Sequence, residues 1–276
     1  MTSDEAARPY EGKRSTLPFD ISKAHQARVY DYLLGGKDNY AADRAWAEAA
    51  LEAWPNSAFT AQANRAFLGR MVRYLAGEAG IRQFLDIGTG IPTAGNVHEV
   101  AQAVAPESRV VYVDYDPVVL AHARALLDSH EAGATEYIDA DLRDTGTILG
   151  QAGGLLDFTK PVAVTLIAIL HAVPDADDPY AIVARLMDAV PPGSYLAISH
   201  MGSDLFGQEA SQRLQNLNGR DSQQQYFHRT GEEVARFFDG TDLVPPGLAR
   251  AEEWRLEPAT GDAPASGLWA AVGRKR

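Results

Sequence analysis

Strands and helices alternate along most of this chain, which predicts an α/β fold built on a doubly wound, Rossmann-like parallel sheet. From residue 81 onward, short apolar runs are separated by segments whose apolar residues recur at helical spacing. The run 162–170 is apolar without alternation, which indicates a central strand covered on both faces. The first run leads into the glycine turn DIGTG at 86–90, and ligands of such sheets bind beyond the carboxyl ends of the strands.

The N-terminal part of the chain has only helical patterns. Residues 1–18 are polar and show no period, which predicts a disordered tail. The segment 19–80 is expected to form a helical lid of three helices. The first spans 21–34, the second follows Asp43 as its N-cap, and the third carries one apolar stripe. That stripe is formed by Phe59, Ala63, Phe67, Met71 and Tyr74.

The remaining segment, 81–276, holds the predicted sheet. We expect strands at 84–87, 110–113, 137–138, 162–170 and 195–199, with two more between 248 and 272. Helices are expected at 96–105 and after three capping signals: Asp116 before Pro117, Asp178 before Pro179, and Thr230 with Glu233.

Composition excludes several function classes. The chain has 276 residues, a net charge of −12 and no cysteine. Disulfides and cysteine-based metal sites are therefore absent. The diffuse negative charge opposes binding to nucleic acid, and a small RNA-like ligand remains an alternative. The N-terminus shows no apolar signal region, and no apolar stretch approaches the ~20 residues needed to cross a bilayer. We therefore expect a cytoplasmic protein without membrane contacts.

The glycine turn at 86–90 is the first candidate cofactor site. Glycines let a backbone approach a ligand closely. A nicotinamide dinucleotide site would have a third glycine, where this chain has Thr93, and Asp86 would repel a pyrophosphate. A carboxylate at that position suits the ammonium group of S-adenosylmethionine. The predicted ligands from this turn are Asp86, Gly88, Thr89 and Gly90.

The ends of the second and third predicted strands supply further candidates. Asp114 ends the second strand, where a carboxylate can accept hydrogen bonds from both ribose hydroxyls. Asp116 is close by, but it is expected only to cap the helix that begins at Pro117. Asp141 follows the third strand, where it could accept the adenine amino group, with a turn cap as the alternative. Their neighbours Tyr115 and Leu142 are assigned to the same site.

Four segments together resemble the class I methyltransferases: QFLDIGTGIP, VVYVDYDPVVL, YIDADLRD and the long strand ending at Leu170-His171. The N-terminal half, with ARVYDYLLGGKDNYAADR and NRAFLGRMVRYLA, is similar to the actinobacterial S-adenosyl methyltransferase family, DUF574 or Methyltransf_19. The resemblance implies a seven-stranded class I sheet with an antiparallel last strand, and S-adenosylmethionine as cofactor. It does not identify the methyl acceptor.

Two histidines at predicted strand ends are candidate catalytic bases, His171 and His200. A neutral hydroxyl acceptor needs a general base, whereas a basic acceptor needs only orientation and exclusion of water. The alternative is that each histidine is simply hydrogen-bonded within the fold. No metal is expected, because Asp175, Asp177 and Asp178 suit the start of the following helix.

The segment 34–40 combines two glycines with polar residues, a composition suited to a binding loop. We expect Asn39 and Tyr40 to contact the cofactor from it, with a plain helix connector as the alternative. The predicted function is methyl transfer from S-adenosylmethionine to an unidentified small-molecule acceptor. The competing hypothesis is a non-catalytic module that binds the cofactor and regulates a partner. The oligomeric state is not readable from the sequence.

Overall fold

The computed structural model describes residues 20–126, 129–217, 225–256 and 264–276, so the predicted tail at 1–18 lies outside the described residues. The described chain contains eight strands. They are β1 (Gln83–Ile87), β2 (Arg109–Asp114), β3 (Ala134–Asp139), β4 (Ala163–Ile167), β5 (Tyr195–Met201), β6 (Thr241–Leu243), β7 (Ala249–Arg250) and β8 (Leu268–Lys275).

Helices lie between these strands and before them. They are α1 (Gln26–Leu33), α2 (Ala41–Ala53), α3 (Ser57–Arg73), α4 (Val97–Val104), α5 (Pro117–Leu126), α6 (Thr145–Ala152), α7 (Pro179–Asp188), α8 (Gln208–Gln215) and α9 (Gly231–Ala235). A π turn (Tyr74–Glu78) extends α3, and single 3₁₀ turns occur at Leu170–Ala172, Asp175–Asp177 and Arg236–Phe238.

The sheet has the order β3-β2-β1-β4-β5-β8-β6, with β7 paired to β8. The first five strands of this order are parallel, and β8 is antiparallel to β5 and β6. The predicted doubly wound sheet with an antiparallel last strand is therefore confirmed. The two-residue β7 is an addition to the seven strands of the main path.

Apolar side chains cover both faces of the central strands. Neighbouring residues point to opposite faces of a strand, so Leu85 joins a cluster with α6 and α7, whereas Phe84 joins a cluster with α3 and α4. All five residues of β1 and of β4 are buried. This burial explains why the 162–170 run lacks alternation.

The carboxyl ends of the parallel strands meet at one edge. In register, Asp86 on β1 lies beside Tyr112 on β2 and Thr165 on β4, and Asp114 on β2 lies beside Asp139 on β3. Helix α3 packs against the face of the sheet that carries Phe84. There the ring of Phe67 meets the ring of Trp254 edge-on, with 5.3 Å between their centroids. The N-terminal helical segment thus covers one face of the sheet. The domain boundary between that segment and the sheet, at residue 80, stays a prediction.

Some predicted boundaries were wrong. The first helix begins at Gln26 rather than at residue 21, because the Asp20 carboxylate accepts the Ser22 N–H at 2.9 Å and forms a local turn there. Strand β4 ends at Ile167, because Ala168 takes a positive φ of 55°. The three-residue β6 was not predicted.

Asp43 is not the N-cap of α2. Tyr40 occupies that position, and the Asp43 side chain reaches back to accept the Tyr40 N–H at 2.8 Å. The same buried carboxylate accepts the His25 N–H at 2.9 Å and lies 3.0 Å from the Arg28 Nε. Asp43 therefore joins the start of α2 to α1.

Candidate cofactor-binding site

A cavity of about 360 Å³ lies where the carboxyl ends of the parallel strands face α1 and α3. Its walls come from the β1–α4 turn, the ends of β2, β3 and β4, and the two helices. Eight of the predicted cofactor ligands line it: Asp86, Gly88, Thr89, Gly90, Asp114, Tyr115, Asp141 and Leu142. The structure thus brings together side chains that are distant in sequence. Whether they bind the cofactor stays a prediction.

The glycine turn has the backbone that its sequence predicts. Gly88 and Gly90 have φ values of 77° and 67°, which L side chains rarely adopt. A Cβ atom on Gly88 would lie 2.5 Å from Cγ1 of Ile169, whereas one on Gly90 would meet nothing within 4 Å. Gly88 therefore allows close packing against the segment after β4, and Gly90 faces open space.

Asp86 is a buried carboxylate in the cavity wall. Its side chain accepts a hydrogen bond from the Thr165 hydroxyl at 2.6 Å. Burial raises its pKa to about 6, against the lowering effects of that hydrogen bond and of Arg65. A desolvated anion of this kind favours a cationic ligand group, because pairing offsets the cost of burying its charge.

Asp114 holds the turn as well as facing the cavity. Its Oδ2 accepts the Gly90 N–H at 2.9 Å, and its Oδ1 accepts the N–H groups of Tyr115 and Asp116 at 2.8 and 3.0 Å. Burial raises the pKa of Asp114 despite these bonds. An ionised carboxylate has about four acceptor positions, so three backbone bonds leave about one for a ligand hydroxyl.

Asp116 has a second task besides starting α5. Its Oδ1 accepts the Val118 N–H at 2.7 Å, which is the predicted capping contact. Its Oδ2 lies 2.6 Å from Nδ1 of His25, a cavity residue that precedes α1. Burial acts to raise the pKa of Asp116, but the contacts with His25 outweigh it and the pKa is lowered. Asp116 therefore links α5 to the helical cover.

Asp141 and Leu142 lie at the cavity wall after β3. The Asp141 carboxylate accepts the Arg143 N–H and pairs with its guanidinium, both at 2.8 Å. The same guanidinium lies 2.7 Å from Asp177. The turn-capping alternative for Asp141 is thus present in the structure, although it does not prevent a ligand contact.

The two candidate catalytic histidines do not line this cavity. His200 is buried; its Nδ1–H donates to the Met201 carbonyl at 2.9 Å, and its Nε2 lies 2.9 Å from Nη1 of Arg229. His171 is buried beside it, with ring centroids 5.7 Å apart. Burial lowers the pKa of His200 to about 3 and that of His171 well below its ordinary value. Both imidazoles are therefore neutral in the folded protein.

Asn39 and Tyr40 also lie outside the residues that line the cavity. The Asn39 amide donates to Asp31 at 2.9 Å and to the Gly36 carbonyl at 3.1 Å. Tyr40 begins α2, and its ring lies under the Arg28 guanidinium at 5.5 Å. These contacts are those of a helix connector, and we do not include either residue in the proposed cofactor set.

The helical cover contributes cavity residues that the sequence reasoning missed: Gln26, Tyr30, Asn64 and Arg65. Asn64 is buried, donates to the Tyr30 hydroxyl at 2.9 Å and accepts from the Ser199 hydroxyl at 2.6 Å. A polar residue beside the apolar stripe of α3 was a signal that could have been used. Among the described residues, no group of three His, Asp or Glu side chains could hold a metal ion.

The fold and the strand order are those of the class I methyltransferases. A model of the S-adenosyl methyltransferase family, Methyltransf_19, matches residues 12–276, and the chain belongs to this family, whose cofactor is S-adenosylmethionine. No functionally curated protein matches the chain significantly. No helix among the described residues is both long and apolar enough to span a membrane.

Solved structures support the assignment. A DUF574 family protein from Streptomyces avermitilis MA-4680 is 45% identical, with a TM-score of 0.88 over 93% of this chain and 99% of that one. A candidate methyltransferase from Thermobifida fusca YX is 43% identical, with a TM-score of 0.84 over 93% and 97%. An O-methyltransferase family protein from Burkholderia thailandensis, at 17% identity and a TM-score of 0.50 over 83% and 62%, shares the fold alone.

Proposed function

We propose that this protein transfers a methyl group from S-adenosylmethionine to a small-molecule acceptor, with the cofactor in the 360 Å³ cavity. The observation that carries the proposal is the buried Asp86 carboxylate, which faces the cavity beside Arg65. The amino-acid end of the cofactor has an ammonium and a carboxylate, which pair with these two groups. Asp114 is the proposed ribose ligand, and Asp141 with Leu142 the adenine contacts.

The turn is poorly suited to a dinucleotide. In a dinucleotide site the backbone N–H groups of the glycine turn bind a pyrophosphate. Here the Gly90 N–H donates to Asp114, so a carboxylate occupies the position of such an anion. Asp86 adds a second negative charge at the same wall. These contacts favour a cationic cofactor.

S-adenosylmethionine bound here would supply a methyl group, whose bond to sulfur breaks as the bond to the acceptor oxygen or nitrogen forms, and the acceptor proton would leave to water once the site reopens. The chain has to orient the acceptor in line with that bond and exclude solvent. Neither histidine is positioned as a base, because each Nε2 faces an N–H donor, Gln26 for His171 and Arg229 for His200. We therefore propose orientation without a histidine base.

A calorimetric titration with S-adenosylhomocysteine and with NAD tests the proposal. We expect saturable binding of S-adenosylhomocysteine and none of NAD. Asp114→Ala should weaken S-adenosylhomocysteine binding by at least tenfold, since a hydrogen bond to a charged group is worth about 1.5–3 kcal/mol. Binding of NAD in place of S-adenosylhomocysteine would contradict the proposed function.

A further inference from the structure

A second, smaller cavity of about 80 Å³ adjoins the first. Gln26, Tyr30 and Ala168 line both cavities and form the wall between them. The second cavity is lined by α1, α2, the start of α3, α8 and the end of β5. Because its wall is shared with the proposed cofactor site, an acceptor bound there would be adjacent to the methyl donor.

The described lining of the second cavity includes no Asp, Glu, Lys or Arg side chain. Four aromatic rings face it: Trp46, Trp54, Phe206 and Tyr226. Two of the ring pairs are in contact, Trp46 with Tyr226 and Trp54 with Phe206, both at 5.2 Å between centroids. An environment of this kind favours a neutral ligand with an apolar, planar body, because a charged ligand would lose hydration without gaining a partner.

Several residues that line the same cavity carry buried polar atoms without a partner. Four buried atoms have no hydrogen-bond partner among the described residues: Oε1 of Gln26, Nε1 of Trp46, Nε1 of Trp54 and Nδ1 of His171. His171 is only 3% exposed. Buried polar groups are nearly always paired in native proteins, so such a cluster indicates ligand contacts.

The hydrogen bonds of Gln26 determine which of these atoms donate. Its Nε2 lies 2.7 Å from the Ala168 carbonyl, which accepts only, and 3.0 Å from Nε2 of His171. The Gln26 amide therefore donates to both, and His171 accepts at Nε2 and carries its proton on Nδ1. The unpartnered atoms of these lining residues are thus three N–H donors, two indole and one imidazole, and one acceptor, the Gln26 carbonyl oxygen.

We propose that the second cavity binds the methyl acceptor, and that the acceptor is a neutral aromatic compound with a carbonyl-type oxygen and a hydroxyl or N–H group. The carbonyl-type oxygen has two acceptor positions and accepts from two of the three indole and imidazole N–H groups. The hydroxyl or N–H group donates to Gln26 Oε1, beside the cofactor cavity. The methylated atom is a nitrogen of this compound, because a nitrogen lone pair attacks without a base and its proton leaves to water after transfer, whereas a neutral hydroxyl would need a base. The acceptor role rests on the proposed function, while the binding chemistry does not.

The size of the cavity limits the acceptor. An apolar cavity of about 150 Å³ holds benzene, roughly twice the volume of this one. Only part of a ligand with an aromatic ring therefore fits in this cavity, and the rest of the ligand must lie in the adjoining larger cavity. That position also brings its reactive atom towards the methyl donor.

Tryptophan fluorescence tests this inference with three matched probes, 4-hydroxyacetophenone, 4-hydroxybenzoate and acetophenone. They are titrated into the full chain with and without saturating S-adenosylhomocysteine. We expect the neutral hydroxy ketone to bind at least tenfold more tightly than the carboxylate, and about tenfold more tightly than acetophenone, which lacks the hydroxyl. Equal affinity for the neutral and anionic probes would overturn the inference.

Variants locate the binding. Trp54→Phe and Trp46→Phe each remove one N–H donor from residues that line only the second cavity, and each should weaken hydroxy ketone binding about threefold to tenfold. Trp269→Phe is the control, because Trp269 lines neither cavity. S-adenosylhomocysteine affinity should be unchanged in all three. If S-adenosylhomocysteine fails to bind the wild type, the proposed function fails, whereas unchanged ketone binding in both tryptophan variants refutes this site.

Discussion

Replacing Asp86 by asparagine tests whether a buried carboxylate selects a cationic cofactor. Asp86 is 5% exposed, lines the larger cavity and has a pKa of about 6, raised by burial from 3.8. At that pKa the carboxyl is roughly 90% ionised at pH 7 and roughly 10% ionised at pH 5. Since the ammonium group of S-adenosylhomocysteine pairs with the ionised form, its affinity should fall about tenfold between pH 7 and pH 5.

The asparagine variant removes the charge and keeps an oxygen for the Thr165 hydroxyl. It should bind S-adenosylhomocysteine about tenfold to a hundredfold more weakly at pH 7, because a charge-assisted hydrogen bond is worth about 1.5–3 kcal/mol. Its affinity should also change little between pH 5 and 7. Calorimetry at three pH values measures both effects, and Asp239→Asn, an exposed residue outside the cavity lining, serves as the control.

Stability should change in the opposite direction. The folded-state pKa of Asp86 is raised, so the folded protein holds its proton more tightly, and stability is lost as pH rises from 3.8 to about 6. The loss amounts to roughly 3 kcal/mol at most. The cofactor-free asparagine variant should therefore melt at a higher temperature than wild type at pH 7. Unchanged affinity with an unchanged pH profile, or a lower Tm, would refute the reasoning.

Three further predictions concern the same region. Asp114→Asn should weaken S-adenosylhomocysteine binding more than Asp116→Asn in calorimetry, because Asp114 faces the ligand side of the turn; equal effects would contradict the ribose assignment. Gly88→Val should lower both the Tm and the affinity for S-adenosylhomocysteine, because the valine Cβ would lie 2.5 Å from Ile169. An unchanged Tm would show that the segment after β4 moves to accommodate the side chain. Asp43→Ala should destabilise the fold by about 3–5 kcal/mol in urea unfolding, because it removes the buried carboxylate that pairs with Arg28 and accepts the N–H groups of His25 and Tyr40. A change below about 1 kcal/mol would rule this out.

The part of the site on the sheet could be predicted because it depends on local sequence. A glycine turn directly after a strand, and an aspartate at the end of the next strand, must meet at the carboxyl edge once both strands are parallel. Gly88 and Asp114 are therefore placed by the chain's order of elements, and the hydrogen bond between Gly90 and Asp114 follows from the same geometry.

The part of the site on the helical cover could not be predicted in the same way. Gln26 meets Ala168 across 142 positions of sequence, and no local period encodes that contact. Asn39 was chosen for its loop composition, yet its amide bonds within the connector, because Asp31 on α1 is close enough to accept it. The three-residue β6 was missed since so short a strand has too few residues to show alternation.

The wall between the two cavities is held by one polar network. The Tyr30 hydroxyl accepts from Asn64, Asn64 accepts from Ser199, and Ser199 accepts the Ala168 N–H at 2.9 Å. The Ala168 carbonyl then accepts from Gln26, which returns the network to α1.

Ala168 has a φ of 55°, a conformation that costs an alanine about 1 kcal/mol or more. Because both its N–H and its carbonyl are hydrogen-bonded, the network maintains this strained backbone at the point where β4 ends. A regular continuation of β4 would move the carbonyl that orients Gln26. The strained conformation therefore places the carbonyl that orients Gln26, a side chain that lines both cavities.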